Sequence, residues 1–167
     1  MEMSVSRRTF LKGAAAMAAA ASLSALLTAC GDSYIARADM GEYIVELMSV
    51  DLTTNNGWDS REDTFIVVPR FKFKNIEGGI NSRSYSSVFS SASIDGTELK
   101  LMNGSDNIFT MQSLAAEAEV KPCFISSDVA AYSKFYSGAA PLLLTVKLGG
   151  LTRVFSVNYA ARSASVS

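Results

Sequence analysis

Histidine is absent from all 167 residues. No Ser-His-Asp or Cys-His pairing can be assembled, and the usual histidine ligands of a zinc hydrolase are missing. Cysteine occurs twice, at Cys30 and Cys123, which is too few for a disulfide framework. There is no basic excess: 15 Lys and Arg stand against 16 Asp and Glu. Nucleic acid, which needs a basic patch, is therefore not an expected partner. No long apolar run follows Cys30, so no transmembrane helix is expected there. Only carboxylate chemistry stays open in principle. With no catalytic signature beside it, the chain is not expected to be an enzyme and no cofactor is expected.

What is present begins at the N-terminus. Arg7, Arg8 and Lys12 form a positive start, Gly13 to Leu27 is uncharged, and Leu27-Thr28-Ala29-Cys30 closes the segment with small residues. That is the anatomy of an export signal. A helix of a soluble core would keep one polar face, and Gly13 to Leu27 has no charged face. A permanent span needs about 20 strongly apolar residues, and this run is shorter and alanine-rich.

Ser6-Arg7-Arg8-Thr9-Phe10-Leu11-Lys12 resembles the twin-arginine export motif, an address read by a receptor. Leu27, Thr28, Ala29 and Cys30 resemble the bacterial lipobox. Together they imply a helical signal peptide over 1–29, cut before Cys30, whose thiolate accepts a diacylglycerol thioether. Partners implied during export are the twin-arginine translocase and the lipoprotein-processing enzymes. Each buried CH2 is worth about 0.8 kcal/mol, and a single acyl chain holds only marginally, so the two or more chains of a bacterial lipoprotein suffice as anchor.

The remaining 138 residues suit one domain with one core. Taking Arg7, Arg8, Lys12 and Glu2 away leaves 12 basic and 15 acidic residues, a net of −3. Such mild acidity fits an outward-facing soluble domain. Residues 30–41 read as a lipidated tether, 42–160 as the folded domain and 161–167 as a flexible tail. Glu42 to Leu52 alternates in strand fashion. In Thr64 to Asn75, Phe65, Val67, Phe71 and Phe73 share one face and Arg70, Lys72 and Lys74 the other. Pro69 in that run predicts a sheet edge or a bulge. Ile76 to Ser87 reads as loop. Asp95-Gly96 and Gly149-Gly150 predict hairpin turns, and Asn107 to Gln112 a short strand. Ser113 to Pro122 is ambiguous, and Asp128 to Gly138 is either a short helix or a loop with aromatic anchors. The total is about seven strands with turn signals every 8–12 residues, which predicts an all-β antiparallel sandwich.

The strand ending in Lys74-Asn75, the Asp95-Gly96 hairpin and the closing hairpin, behind a lipobox and tether, resemble the immunoglobulin-like domains of unknown function carried by bacterial surface lipoproteins. The resemblance spans roughly residues 42 to 159 and implies an immunoglobulin-like β-sandwich. The chain departs from it at Lys121-Pro122-Cys123, where such domains often have glycine after the proline.

Other residues pull in two directions. Trp58, the lone tryptophan, sits in a polar loop; it either contacts a partner or folds back as a lid. Asp51, Asn55, Asn56, Asp59, Glu62 and Asp63 offer oxygens for calcium, but their spacing fits no known calcium loop, and a solvated turn reads better. Met40, Met48, Met102 and Met111 suit either copper(I) or gaps in a core. Ser84, Ser86, Ser87, Ser90, Ser91 and Ser93 have no base beside them and read as a polar sheet face. Cys123, between apolar neighbours, is a buried small hydrophobe or an accessible thiol.

The expectation is a membrane-anchored extracytoplasmic lipoprotein, a non-catalytic binding or adaptor module for a protein or envelope component. The alternative is a small-ligand or metal carrier, or an accessory subunit of an exported redox enzyme, because twin-arginine export often serves cofactor-loaded proteins.

Overall fold

The computed structural model describes residues 33–55, 64–76, 81–103, 107–111 and 117–167. The described part is mostly β-structure, as the alternating runs predict. Two sheets carry the core. The first orders its strands β1 (Ala36–Met40), β2 (Tyr43–Asn55), β3 (Thr64–Asn75), β10 (Phe124–Ser126) and β7 (Lys100–Leu101), and β9 (Ala118–Val120) also pairs with β3. The second runs β13 (Ser163–Val166), β12 (Leu151–Asn158), β11 (Leu142–Leu148), β5 (Phe89–Ile94) and β6 (Thr97–Glu98). A side pair joins β4 (Asn81–Ser84) to β8 (Ile108–Met111). Two helices complete the described residues: α1 (Tyr85–Val88) and α2 (Val129–Ser137). Every strand pairing is antiparallel.

The sheets meet through phenylalanines. Phe71 of β3 lies edge-on to Phe155 of β12, with centroids 5.4 Å apart, and 5.3 Å from Phe89 of β5. All three rings are buried. Their placement follows from the period-2 alternation of β3, which turns Phe65, Val67, Phe71 and Phe73 inward and leaves Arg70, Lys72 and Lys74 outside. Packing of such rings is worth about 0.5–1.5 kcal/mol per pair beyond their area burial.

Pro69 sits in a central strand, not at an edge. Its ring costs no ladder bond on the far side, because β9 pairs with Phe71 to Phe73 and β10 with Phe65 to Val67, leaving a gap between them. The bulge expected on this strand lies instead on its partner β2, between Leu47 and Ser49.

Four expectations need correction. The presumed tether contains β1: Ala36, Ala38 and Met40 are buried against the core while Arg37 and Asp39 point out, so 36–40 is part of the domain. The presumed tail forms β13, whose Ala164 and Val166 pack on the core. Ser167 and Val154 then exchange backbone hydrogen bonds of 3.1 and 3.0 Å. Ile76 to Ser87, expected as loop, carries β4 and α1; β4 is too polar to announce itself and is held by pairing with β8. Finally, thirteen strand segments are present among the described residues against about seven expected. Several are two- to four-residue pieces. Leu99, buried, marks where the chain leaves β6 in one sheet and enters β7 in the other.

The hairpins form where the turn chemistry predicts. Asp95 and Gly96 both have positive φ (48° and 82°), as do Gly149 and Gly150 (59° and 76°). At Gly149 a Cβ would lie 3.1 Å from the Met40 carbonyl oxygen, so the turn also lets two backbones approach.

Candidate binding surfaces

Helix α2 is built by its ends. The Asp128 carboxylate accepts the Ala130 and Ala131 N–H groups at 2.9 and 3.0 Å, the N-cap role its residue type favours. Those bonds, the Ala131 one foremost, and the Thr97 hydroxyl at 2.9 Å hold the Asp128 carboxyl below its ordinary value. Gly138 closes the helix in the left-handed region (φ 76°), where a Cβ would meet Asn158 Oδ1 and Ala160 at 2.9 Å. The Lys134–Asp95 ion pair ties the helix to the β5–β6 turn, and Ala131 and Phe135 bury its inner face. The outer face carries Val129 (61% exposed), half-buried Tyr132 and Tyr136 (59% exposed), at the one-above-another spacing of a helix.

At this end an open cleft of about 720 Å³ lies between Ile35 and the Met48–Asp51 stretch of β2 on one side, and Tyr136 and the Val157–Ala160 segment with Arg162 on the other. Its aromatic wall is Tyr136 and Tyr159, 6.1 Å apart, and Tyr132 stacks on Tyr136 at 5.8 Å from outside the cleft. The cleft exists because β2 runs on past Ile35, whose N–H donates to the Leu47 carbonyl at 2.8 Å, and β1 ends there. Arg162 forms no ion pair among the described residues. Arg70 is held protonated by its hydrogen bond and charge pairing with Glu119, to which Asp51 adds a smaller attraction.

The opposite end, at the Gly41–Glu42 and Gly149–Gly150 turns, holds a second open cleft of about 700 Å³, lined in part by Glu42, Arg83, Lys147 and Thr152. Buried Tyr43 reaches it and takes a hydrogen bond from the Asn81 amide.

The outer face of the first sheet is a ladder of alternating charge. Glu46, 4% exposed, lies 3.2 Å from Lys74 and 3.7 Å from Arg37. Glu117 bridges Lys74 at 2.9 Å and Lys72 at 3.0 Å, and Glu119 bridges Arg70 at 2.7 Å and Lys121 at 2.9 Å. The Arg70 hydrogen bond, then the Lys121 one, pulls the Glu119 carboxyl down to about 2. Lys74 and Lys72 lower that of Glu117.

The residues singled out from the sequence fall apart. Arg7, Arg8, Phe10, Leu11, Lys12, Leu27, Thr28, Ala29, Cys30 and Trp58 lie outside the described residues, as do Asn56, Asp59, Glu62 and Asp63. Met40 and Met111 are buried, Met48 is half-buried and Met102 is exposed, so the four thioethers occupy separate environments. No group of three or more Cys, Asp or Glu side chains converges among the described residues. Cys123 is partly exposed, its Sγ 4.0 Å from the Met102 sulfur, and burial pushes its thiol up, away from the reactive thiolate. Ser90, Ser91 and Ser93 lie on β5, whereas Ser84 ends β4 and Ser86 and Ser87 lie in α1.

Sequence reasoning missed the cleft at the α2 end. The spacing of Val129, Tyr132 and Tyr136 was its available signal; Tyr159 and Arg162 gave none, since only the β12–β13 turn brings them to the helix.

One comparison decides the destination of the chain. Residues 4–24 match the twin-arginine translocation (TAT) pathway signal sequence. The signal marks the chain for export across the cytoplasmic membrane, and the domain is extracytoplasmic. No curated protein and no solved structure matches the chain.

Proposed function

We propose that this chain is an exported lipoprotein whose immunoglobulin-like sandwich serves as a non-catalytic binding or adaptor module for a protein or envelope component. The strand order is the observation that carries it. An immunoglobulin domain orders seven strands A-B-E-D in one sheet and C-F-G in the other. Lettered in chain order, β2, β3, β5, β7, β10, β11 and β12 yield the neighbours A-B-E-D (β2-β3-β10-β7) and C-F-G (β5-β11-β12). β1 and β13 extend the two sheets, and Phe71, Phe89 and Phe155 occupy the space between them. Domains of this kind present partners with loops and faces, while function belongs to the site, not the fold.

The anchor is acylated Cys30, and Ile35 lies five residue steps further along the chain. At roughly 3.3 Å per residue that is about 17 Å, so the module sits against the outer surface of the membrane. The cleft at the far end of β1 supports a polar or acidic partner surface, because neither Arg83 nor Lys147 is ion-paired among the described residues. Trp58 is a further proposed contact. The twin-arginine signal also favours a second reading, an accessory subunit of an exported redox enzyme.

Photo-crosslinking in intact cells from positions Arg83 and Trp58, read by mass spectrometry, tests the module. A discrete protein or envelope adduct is expected from either position and none from Ser91. Copper, iron or flavin bound in stoichiometric amount to the purified protein overturns the reading in favour of the second. Replacing Arg7 and Arg8 with lysine is expected to hold the precursor in the cytoplasm. Cys30→Ala is expected to release the exported protein from membranes.

A further inference from the structure

The cleft at the α2 end lies where the chain comes off the domain. Ile35 is both its wall and the last residue held by β2 before the tether. β1 runs from Ala36 toward the Gly41–Glu42 turn, so Ile35, which precedes it, stands at the α2 end. With four residues between Ile35 and Cys30, five residue steps of roughly 3.3 Å keep this wall of the cleft within about 17 Å of an acylated Cys30. The chemistry of this end matches a headgroup layer. Tyr136 and Tyr159 present rings with polar tips, the residue type that collects at membrane interfaces. Val129 and Tyr132 extend an apolar stripe along α2. Arg162 supplies a guanidinium whose fork fits a phosphate and which no described carboxylate engages. The charged ladder, by contrast, has its cations matched by Glu46, Glu117 and Glu119.

We propose that the α2 end is the membrane-resting face of the domain, with Arg162 on a phospholipid phosphate and Tyr136 and Tyr159 in the headgroup layer. This rests on the lipid anchor at Cys30, and it fixes which way the domain points: the cleft with Arg83 and Lys147 faces away from the bilayer.

The test uses the full mature chain purified from membranes, with benzoyl-phenylalanine in place of Tyr136 or, as control, of Ser91 on the outer face of the second sheet. Each protein is placed in phosphatidylethanolamine–phosphatidylglycerol vesicles or in dodecyl maltoside micelles, which lack phosphate, and irradiated. Lipid adducts are expected at position 136 in vesicles and not at 91. Arg162→Gln should lower the yield at 136 about fivefold, the weight of one cation at an anionic surface. Circular dichroism and thermal melting identify variants that have not folded. The mass of the N-terminal peptide separates the two readings. Acylated Cys30 with equal yields at 136 and 91 overturns the membrane-resting face alone. A bare thiol at Cys30 overturns the anchor. Adducts at 136 that Arg162→Gln leaves unchanged overturn the phosphate contact.

Discussion

The outer surfaces of the two sheets are opposite solutions to being wet. On the first, Arg37, Glu46, Lys72, Lys74, Arg70, Glu117, Glu119 and Lys121 interleave so that each carboxylate touches two cations. On the second, Ser91, Ser93, Thr145, Thr152 and Ser156 dominate; a single Ser91–Thr145 hydroxyl contact of 2.9 Å stands in for the ladder. The difference follows from what each sheet must hold. β9 is three residues long and joins the first sheet through three backbone pairs, so Glu119 and the neighbouring Glu117, clamped on Arg70, Lys72 and Lys74, help to fix it. In the second sheet β11 and β12 pair over seven consecutive positions and need no such help.

The largest blow falls on what the two faces share. Phe71→Ala, at a fully buried ring touching both sheets, should cost about 3–5 kcal/mol in chemical denaturation and unravel both faces together. Next comes Glu46→Ala, which strips the buried carboxylate from under Lys74 and Arg37 and is expected to cost about 1–3 kcal/mol. Asp128→Ala, removing the α2 cap, should cost about 1 kcal/mol in the same measurement. Ser91→Ala, on the hydroxyl face, should stay within about 0.5 kcal/mol of the parent. A loss at Ser91 equal to that at Glu46 would erase the contrast.

Acid sharpens it. Glu119 in the folded chain titrates at about 2 instead of its ordinary 4.5, because Arg70 and Lys121 hold it charged. Its contribution is thus present above pH 4.5 and disappears as the pH falls toward 2. Melting temperature should drop through that window, and Glu119→Gln should flatten the drop. High salt should shrink the effect, since these pairs are exposed.

What could be read in advance follows the length of the local signal. β3, β11, β12 and both glycine turns were legible because alternation and positive-φ residues are written in consecutive positions. β1 and β13 were not: Ala-Arg-Ala-Asp-Met and Ser-Ala-Ser-Val are too short and too weakly apolar to read as strands, and acquire strand character only from the neighbour they pair with. The cleft at the α2 end was hidden for the same reason at larger scale. Tyr136 and Arg162 come from a helix and a turn that only the folded second sheet juxtaposes. The charge ladder was half legible: the cations of β3 stand in alternating positions, but β9 sat in a segment whose alanines and glutamates favour helix until Pro122.

The claim on which the rest depends is the lipid on Cys30. Mass spectrometry of the N-terminal peptide of the protein recovered from membranes tests it directly. The account predicts a peptide that starts at Cys30 and carries a diacylglycerol thioether on its sulfur. A peptide that still includes residues 1–29, or that starts at Cys30 with a bare thiol, would contradict it.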